Sequence, residues 1–297
     1  MMKSRFFVAA LFLPALQAAA TTPAEEALTK APMPHVLLDA NGPKVVVHRA
    51  RLHGFLLGKD DKAALAQLKA GVQRCVKGLN GGAGKPPTAW PDYVISNRED
   101  MYIAANRSIR YSYGIAYVLH PTNCSLLEGK TARASLTSAL GHCSIDLLEK
   151  TAIGKCGKDG HAGAPEPVRS APTSPAQAIT QALKSGVSPQ VAAALKQTLA
   201  MAGGPTGEKK TILGLSCDVW TMPMTIMPGT FCLATGGAKF PVNAGTYSGQ
   251  EILNLESQTG QIVTATAIEA QLDDSVPAAV FAPHLAAGFT INPAKKP

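Results

Sequence analysis

The sequence predicts an α+β protein dominated by antiparallel sheet and stapled by disulfides, on three observations. Tyr111, Tyr113, Ile115 and Tyr117 recur at every second position within Ile109–Val118, the period of a strand with one packed face. Leu65, Leu68, Val72, Val76 and Leu79 recur at steps of three and four, the period of one helix face. An apolar, cysteine-free leader precedes six cysteines, an even number that reads as disulfides in an oxidising compartment.

The leader comes first. Lys3 and Arg5 give it a positive start, Phe6–Leu16 is apolar, and Ala18-Ala19-Ala20 supplies the small residues of a cleavage site. Residues 1–20 are therefore expected to be a signal peptide, since the run is too short to cross a bilayer. No cysteine stands at the expected cleavage point, so no bacterial lipid anchor is expected. Without the leader, Lys+Arg falls from 28 to 26 against 20 Asp+Glu, which leaves a net charge of +6. That charge is spread along the chain with no basic cluster, a pattern that argues against nucleic-acid binding. No transmembrane segment is expected after the leader, and the location is read as periplasmic or secreted.

Residues 21–42, with several prolines and few large apolar groups, are expected to be a flexible lead-in. An N-terminal α+β half follows over 43–156. In it Lys44–Leu57 reads as β, and Asp60-Asp61 caps the amphipathic helix that Asn80-Gly81-Gly82 ends. Tyr93–Leu119 reads as strands, and Thr131–Leu140 and Cys143–Lys150 as two more around a Gly141-His142 turn; Ser144–Ile153 reads equally well as a short capped helix.

Residues 157–173, rich in Gly, Pro and Ala, form a linker. Ser174-Pro175 and Ser188-Pro189 each open a helix that Gly186 and Gly203 close, giving a central helical hairpin over 174–203. Residues 207–292 read as short antiparallel strands and 293–297 as a tail. The two β-rich halves are expected to share one continuous sheet.

Register places the first disulfide. If Cys217 faces Cys232 across a hairpin, Met222 faces Met227 and Pro223–Ile226 forms a four-residue loop. The remaining cysteines allow three pairings. Adjacent strands over 131–140 and 143–150 carry Cys143 away from Cys124 and return Cys156 toward it. That arrangement favours Cys124–Cys156 and Cys75–Cys143.

Candidate chemistry is sparse. His142, Cys143, Cys156 and His161 could supply a zinc set only if the cysteines stayed reduced. Met222, Met224 and Met227 offer soft thioether ligands for Cu(I) beside Trp220, although methionine also serves as adaptable core filler. His48 and His53, five apart on a strand, point to opposite faces. Gly78–Pro86 lacks the first glycine and the Ser/Thr of a phosphate loop, and Ser248 sits one place too late for a nucleophile elbow. Asp273-Asp274 reads as an exposed turn. No catalytic residue and no cofactor is expected.

The C-terminal third carries an ordered set of signals. Lys210-Thr211-Ile212-Leu213-Gly214-Leu215-Ser216-Cys217-Asp218-Val219-Trp220 is followed by Gly229-Thr230-Phe231-Cys232-Leu233-Ala234, then by Gly236-Gly237 and by Val280-Phe281-Ala282-Pro283. This layout resembles that of periplasmic proteins similar to the outer-membrane lipoprotein carriers. The resemblance implies a strongly curved, half-barrel-like antiparallel sheet whose apolar concave face holds acyl chains, with helices as a lid. The many cysteines and the proline-rich linker depart from that pattern.

The functional expectation is an exported, non-enzymatic binding or envelope-associated protein whose partner is a lipid, a lipoprotein or another envelope protein. The alternatives are a periplasmic Cu(I)- or redox-handling protein using the methionine loop, and a structural protein of the envelope.

Overall fold

The computed structural model of the chain describes residues 23–56, 62–79, 84–105, 107–138, 140–157, 185–194, 204–223, 228–238, 253–260 and 263–292. The expected signal peptide, nearly all of the linker, the first helix of the expected hairpin and the C-terminal tail lie outside these residues.

Twelve strands make one open sheet: β1 (Lys44–Leu56), β2 (Ile95–Ala104), β3 (Arg107–Leu119), β4 (Leu126–Ser138), β5 (Gly141–Asp146), β6 (Thr151–Gly154), β7 (Gly204–Ile212), β8 (Leu215–Pro223), β9 (Pro228–Ala234), β10 (Asn254–Thr259), β11 (Val263–Pro277) and β12 (Thr290–Asn292). Their order is β12-β6-β5-β4-β3-β2-β1-β11-β10-β9-β8-β7. Among the described residues, the short β12–β6 pair alone is parallel.

This corrects the expected α+β half-barrel with a central helical hairpin. Among the described residues the sheet is open, with β12 and β7 as its edge strands. The reason is the pairing of β1 with β11, which runs from Lys44 opposite Pro277 to Leu56 opposite Val263 and joins the two halves into one ladder. Of the hairpin, 189–194 is helical, with the Ser188 hydroxyl accepting from the Val191 N–H at 3.5 Å.

Alternation along β1 and β2 sends two kinds of side chain to two faces. Ala50, Leu52, Met101 and Ile103 point one way, into a core shared with Cys217, Val219, Cys232, Leu253 and Leu255. Arg49, Arg51, Asp100 and Tyr102 point the other way. There Ile109, Tyr111, Leu136 and Ile145 build a second core, closed by Met33, Val280 and Phe281. The central strands are thus buried on both sides.

Among the described residues, the sheet is flanked by α1 (Pro23–Lys30) and α2 (Lys62–Gly78). The expected flexible lead-in is instead α1 followed by a 3-10 turn at Pro34–Leu37, with Leu28 and Met33 buried. Eight residues cannot hold a helix in water unaided, and the sheet supplies what is missing.

Candidate functional site

The most chemically loaded region of the described chain is a buried ionic cluster between β1, β2 and α1. Arg51 and Asp100 are cross-strand partners, joined by Arg51 Nε to Asp100 Oδ1 at 2.7 Å and Nη2 to Oδ2 at 3.1 Å. Arg98, two residues along β2, brings its Nε to 3.3 Å from the same carboxylate. All three residues are buried, Asp100 completely.

The guanidiniums also reach the end of α1. Arg51 Nη1 donates to Ala31 O at 2.6 Å and Arg98 Nη1 to Leu28 O at 2.6 Å. The last carbonyls of a helix have no partner within it and carry its negative dipole end. Two buried cations therefore fix α1 to the sheet, and Asp100 supplies their counter-charge.

A second cluster lies one row further along the strands. Arg49 donates to Asp274 and Glu269 on β11, to Gln271 Oε1 at 2.9 Å, and contacts Met33 Sδ at 3.3 Å. Burial works against the Arg49 charge, but the two carboxylates outweigh it and raise its pKa. Burial likewise pushes the Asp274 carboxyl up, while Arg49 pulls it down further, for a net lowering.

Tyr102 stands beside Arg49 across the β1–β2 ladder, with His35 Nδ1 at 2.8 Å from its hydroxyl. Burial raises the Tyr102 phenol and lowers the His35 imidazole, with the Arg49 charge adding to the latter. A protonated phenol donating to a neutral imidazole is the arrangement both shifts favour. These groups bind one another and pin the 3-10 turn at Pro34–Leu37; the arrangement is an anchor.

The candidates singled out from sequence fare differently. Cys217 and Cys232 form a disulfide with Cα atoms 5.4 Å apart. The register differs by two residues from direct opposition, with Cys217 facing Ala234 and Val219 facing Cys232, so the bond is diagonal. The other expected pairs are corrected: Cys75 joins Cys124 and Cys143 joins Cys156. The chain turns at residues 147–150 and comes back along β5 as β6, placing Gly154 opposite Cys143 and so Cys156 beside it. A full-length strand over 143–150 would have carried it away.

Oxidised Cys143 and Cys156 cannot act as thiolate ligands, and among the described residues no group of three or more His, Cys, Asp or Glu could hold a metal. His161 lies outside the described residues. Met222 falls in β8, but its side chain lies outside the described residues, as do Met224 and Met227.

His48 and His53 sit on opposite faces of β1. His48 meets Ala238 and Asp273, while His53 Nε2 lies 2.9 Å from Ser96 Oγ. Asp273-Asp274, expected as an exposed turn, belongs to β11, with Asp274 bound to Arg49. Sequence reasoning missed Arg49, Arg51, Arg98 and Asp100. The signal available was charge at alternate positions inside β runs, where a solvated face is the ordinary reading.

No protein-family model and no curated protein matches the chain. Among solved structures it is similar to PNGF-II in two crystal forms. One, in space group C2, is 8% identical over 84% of this chain and 31% of that chain, with a TM-score of 0.31. The other, in space group P21, is 9% identical over 84% and 32%, with a TM-score of 0.33. The chain spans about a third of the length of these matched structures. Likeness at that level carries no inference about activity.

Proposed function

We propose that this is an exported, non-enzymatic binding protein that engages a hydrophobic or amphipathic partner, a lipid or an envelope protein, in the periplasm or outside the cell. Three disulfides among the described residues fit an oxidising compartment, and no helix among them is long and apolar enough to cross a membrane.

One observation carries the partner class. Val36 and Leu37, adjacent on the 3-10 turn, are 62% and 72% exposed. The turn that presents them is held from below by His35 on Tyr102 and by Met33, which is buried against Arg49. A rigid base beneath two exposed aliphatic side chains lowers the ordering cost of a contact made there.

The test is native mass spectrometry of the protein isolated from the exported fraction, paired with uptake of a fluorescent fatty acid. A bound mass of several hundred daltons, lost in Val36→Ser/Leu37→Ser, supports the reading. A bare protein that takes up no fatty acid and retains no envelope protein overturns it.

A further inference from the structure

The three disulfides differ in what surrounds them. Cys143–Cys156 lies inside one core and Cys217–Cys232 inside the other, every sulfur-bearing residue buried. Cys75–Cys124 lies at the rim, where α2 meets the turn between β3 and β4. Cys124 is buried, but Cys75 is half-exposed on the helix. Arg74 adjoins it, and Lys77 follows two residues later.

The helix that this bond ties down is lightly packed. Of its apolar stripe only Val72 is fully buried; Leu65, Leu68 and Val76 remain half-exposed, and Gly71 faces Leu119 at the end of β3. On the other side of the bond Cys124 adopts φ 61°, the left-handed region that side chains other than glycine seldom enter. Its N–H donates to His120 O at 3.0 Å, so the turn presents the sulfur toward α2.

We infer that Cys75–Cys124 is an exchangeable disulfide, the site at which an external dithiol reduces this protein without unfolding it, and that it is the clasp holding α2 to the sheet. A thiolate of the dithiol attacks Cys75 Sγ, the S–S bond breaks, and Cys124 leaves as a thiolate that takes up a proton. The second thiol then displaces Cys75 from the mixed disulfide. The two protein sulfurs gain two electrons and the dithiol becomes its own disulfide. The two core disulfides offer no comparable access while the sheet is intact.

The experiment is timed reduction of the full-length oxidised protein with dithiothreitol, without denaturant, each sample trapped with iodoacetamide and peptide-mapped. Cys75 and Cys124 are expected to be labelled together, about tenfold or more ahead of the other four, as exposure and thiolate access dictate. Earlier labelling of either core pair, or one common rate for all three, overturns the assignment. A Cys75→Ser/Cys124→Ser protein tests the clasp: trypsin is expected to cut after Lys69, Arg74 and Lys77 sooner than in the oxidised parent. Unchanged protection there overturns the role given to the bond.

Discussion

Arg51 holds Asp100 by two hydrogen bonds from one guanidinium, and the carboxylate so held is shielded completely from water. Arg98 approaches the same carboxylate, so Asp100 faces two buried cations at once. Asp100→Ala would strip both guanidiniums of the carboxylate they share. Breaking such a set by removing one partner costs about 3–5 kcal/mol. Urea unfolding of the variant is expected to show a loss of that size, with α1 the first element to lose hydrogen-exchange protection.

Three buried or half-buried histidines set a pH dependence. Burial lowers His284, against an opposing pull from the carbonyls of Gly157 and Cys156. Burial also lowers His53, and burial together with the Arg49 charge lowers His35. Each therefore takes up its proton less readily folded than in the unfolded chain, where the value is 6.5. Stability is full above that pH and is lost as pH falls through the lower folded values. The melting temperature is expected to drop between about pH 6.5 and pH 5, the range over which histidine titrates. His284→Asn should show a shallower slope; an identical slope would remove His284 from the account.

The disulfide inside the second core offers a direct stability test. Cys217→Ser is expected to cost about 2–4 kcal/mol in oxidising buffer, the usual worth of a native bridge. The measurement is the shift in the denaturation midpoint with Cys232 also replaced, so that no stray thiol re-pairs.

Gly154 ends β6 opposite Cys143 at φ 114°, where a Cβ would come within 2.5 Å of the His142 carbonyl oxygen. Backbone cannot yield as a flexible side chain can. Gly154→Ala is expected to cost more than about 1 kcal/mol, the penalty for forcing a side chain into such a conformation. Loss of the Cys143–Cys156 bond in part of the population, read by thiol titration, would accompany it.

Local periodicity made much of the sheet legible. The alternation through Tyr111, Tyr113, Ile115 and Tyr117 marks β3, and the Val45–Val47 run marks β1, because each reports a strand with one packed face. The amphipathic helix at Lys62–Gly78 was legible for the same reason. What escaped depends on distant partners. Residues 23–30 have little to recommend them as a helix until Arg51 and Arg98 meet their carbonyls. The reversal at residues 147–150 passes through Lys150 at φ 51°, and no glycine announces it; that one turn decided two of the three disulfides. Charges at Arg49, Arg51, Arg98 and Asp100 resemble a solvated face in sequence, since nothing local says that a helix and a second strand will cover them.

The union of β1 with β11 also governs the order of assembly. Arg49 and Asp274 meet across that ladder from positions 225 residues apart. Closing so long a loop consumes chain entropy before any contact rewards it, which makes folding of high-contact-order sheets slow. A chain that emerges from its N-terminal end must carry β1 with one open edge until β11 appears. In that interval the strand can pair with any other exposed edge, and the charged residues Arg49 and Arg51 along it hinder such pairing by keeping the nascent edge hydrated.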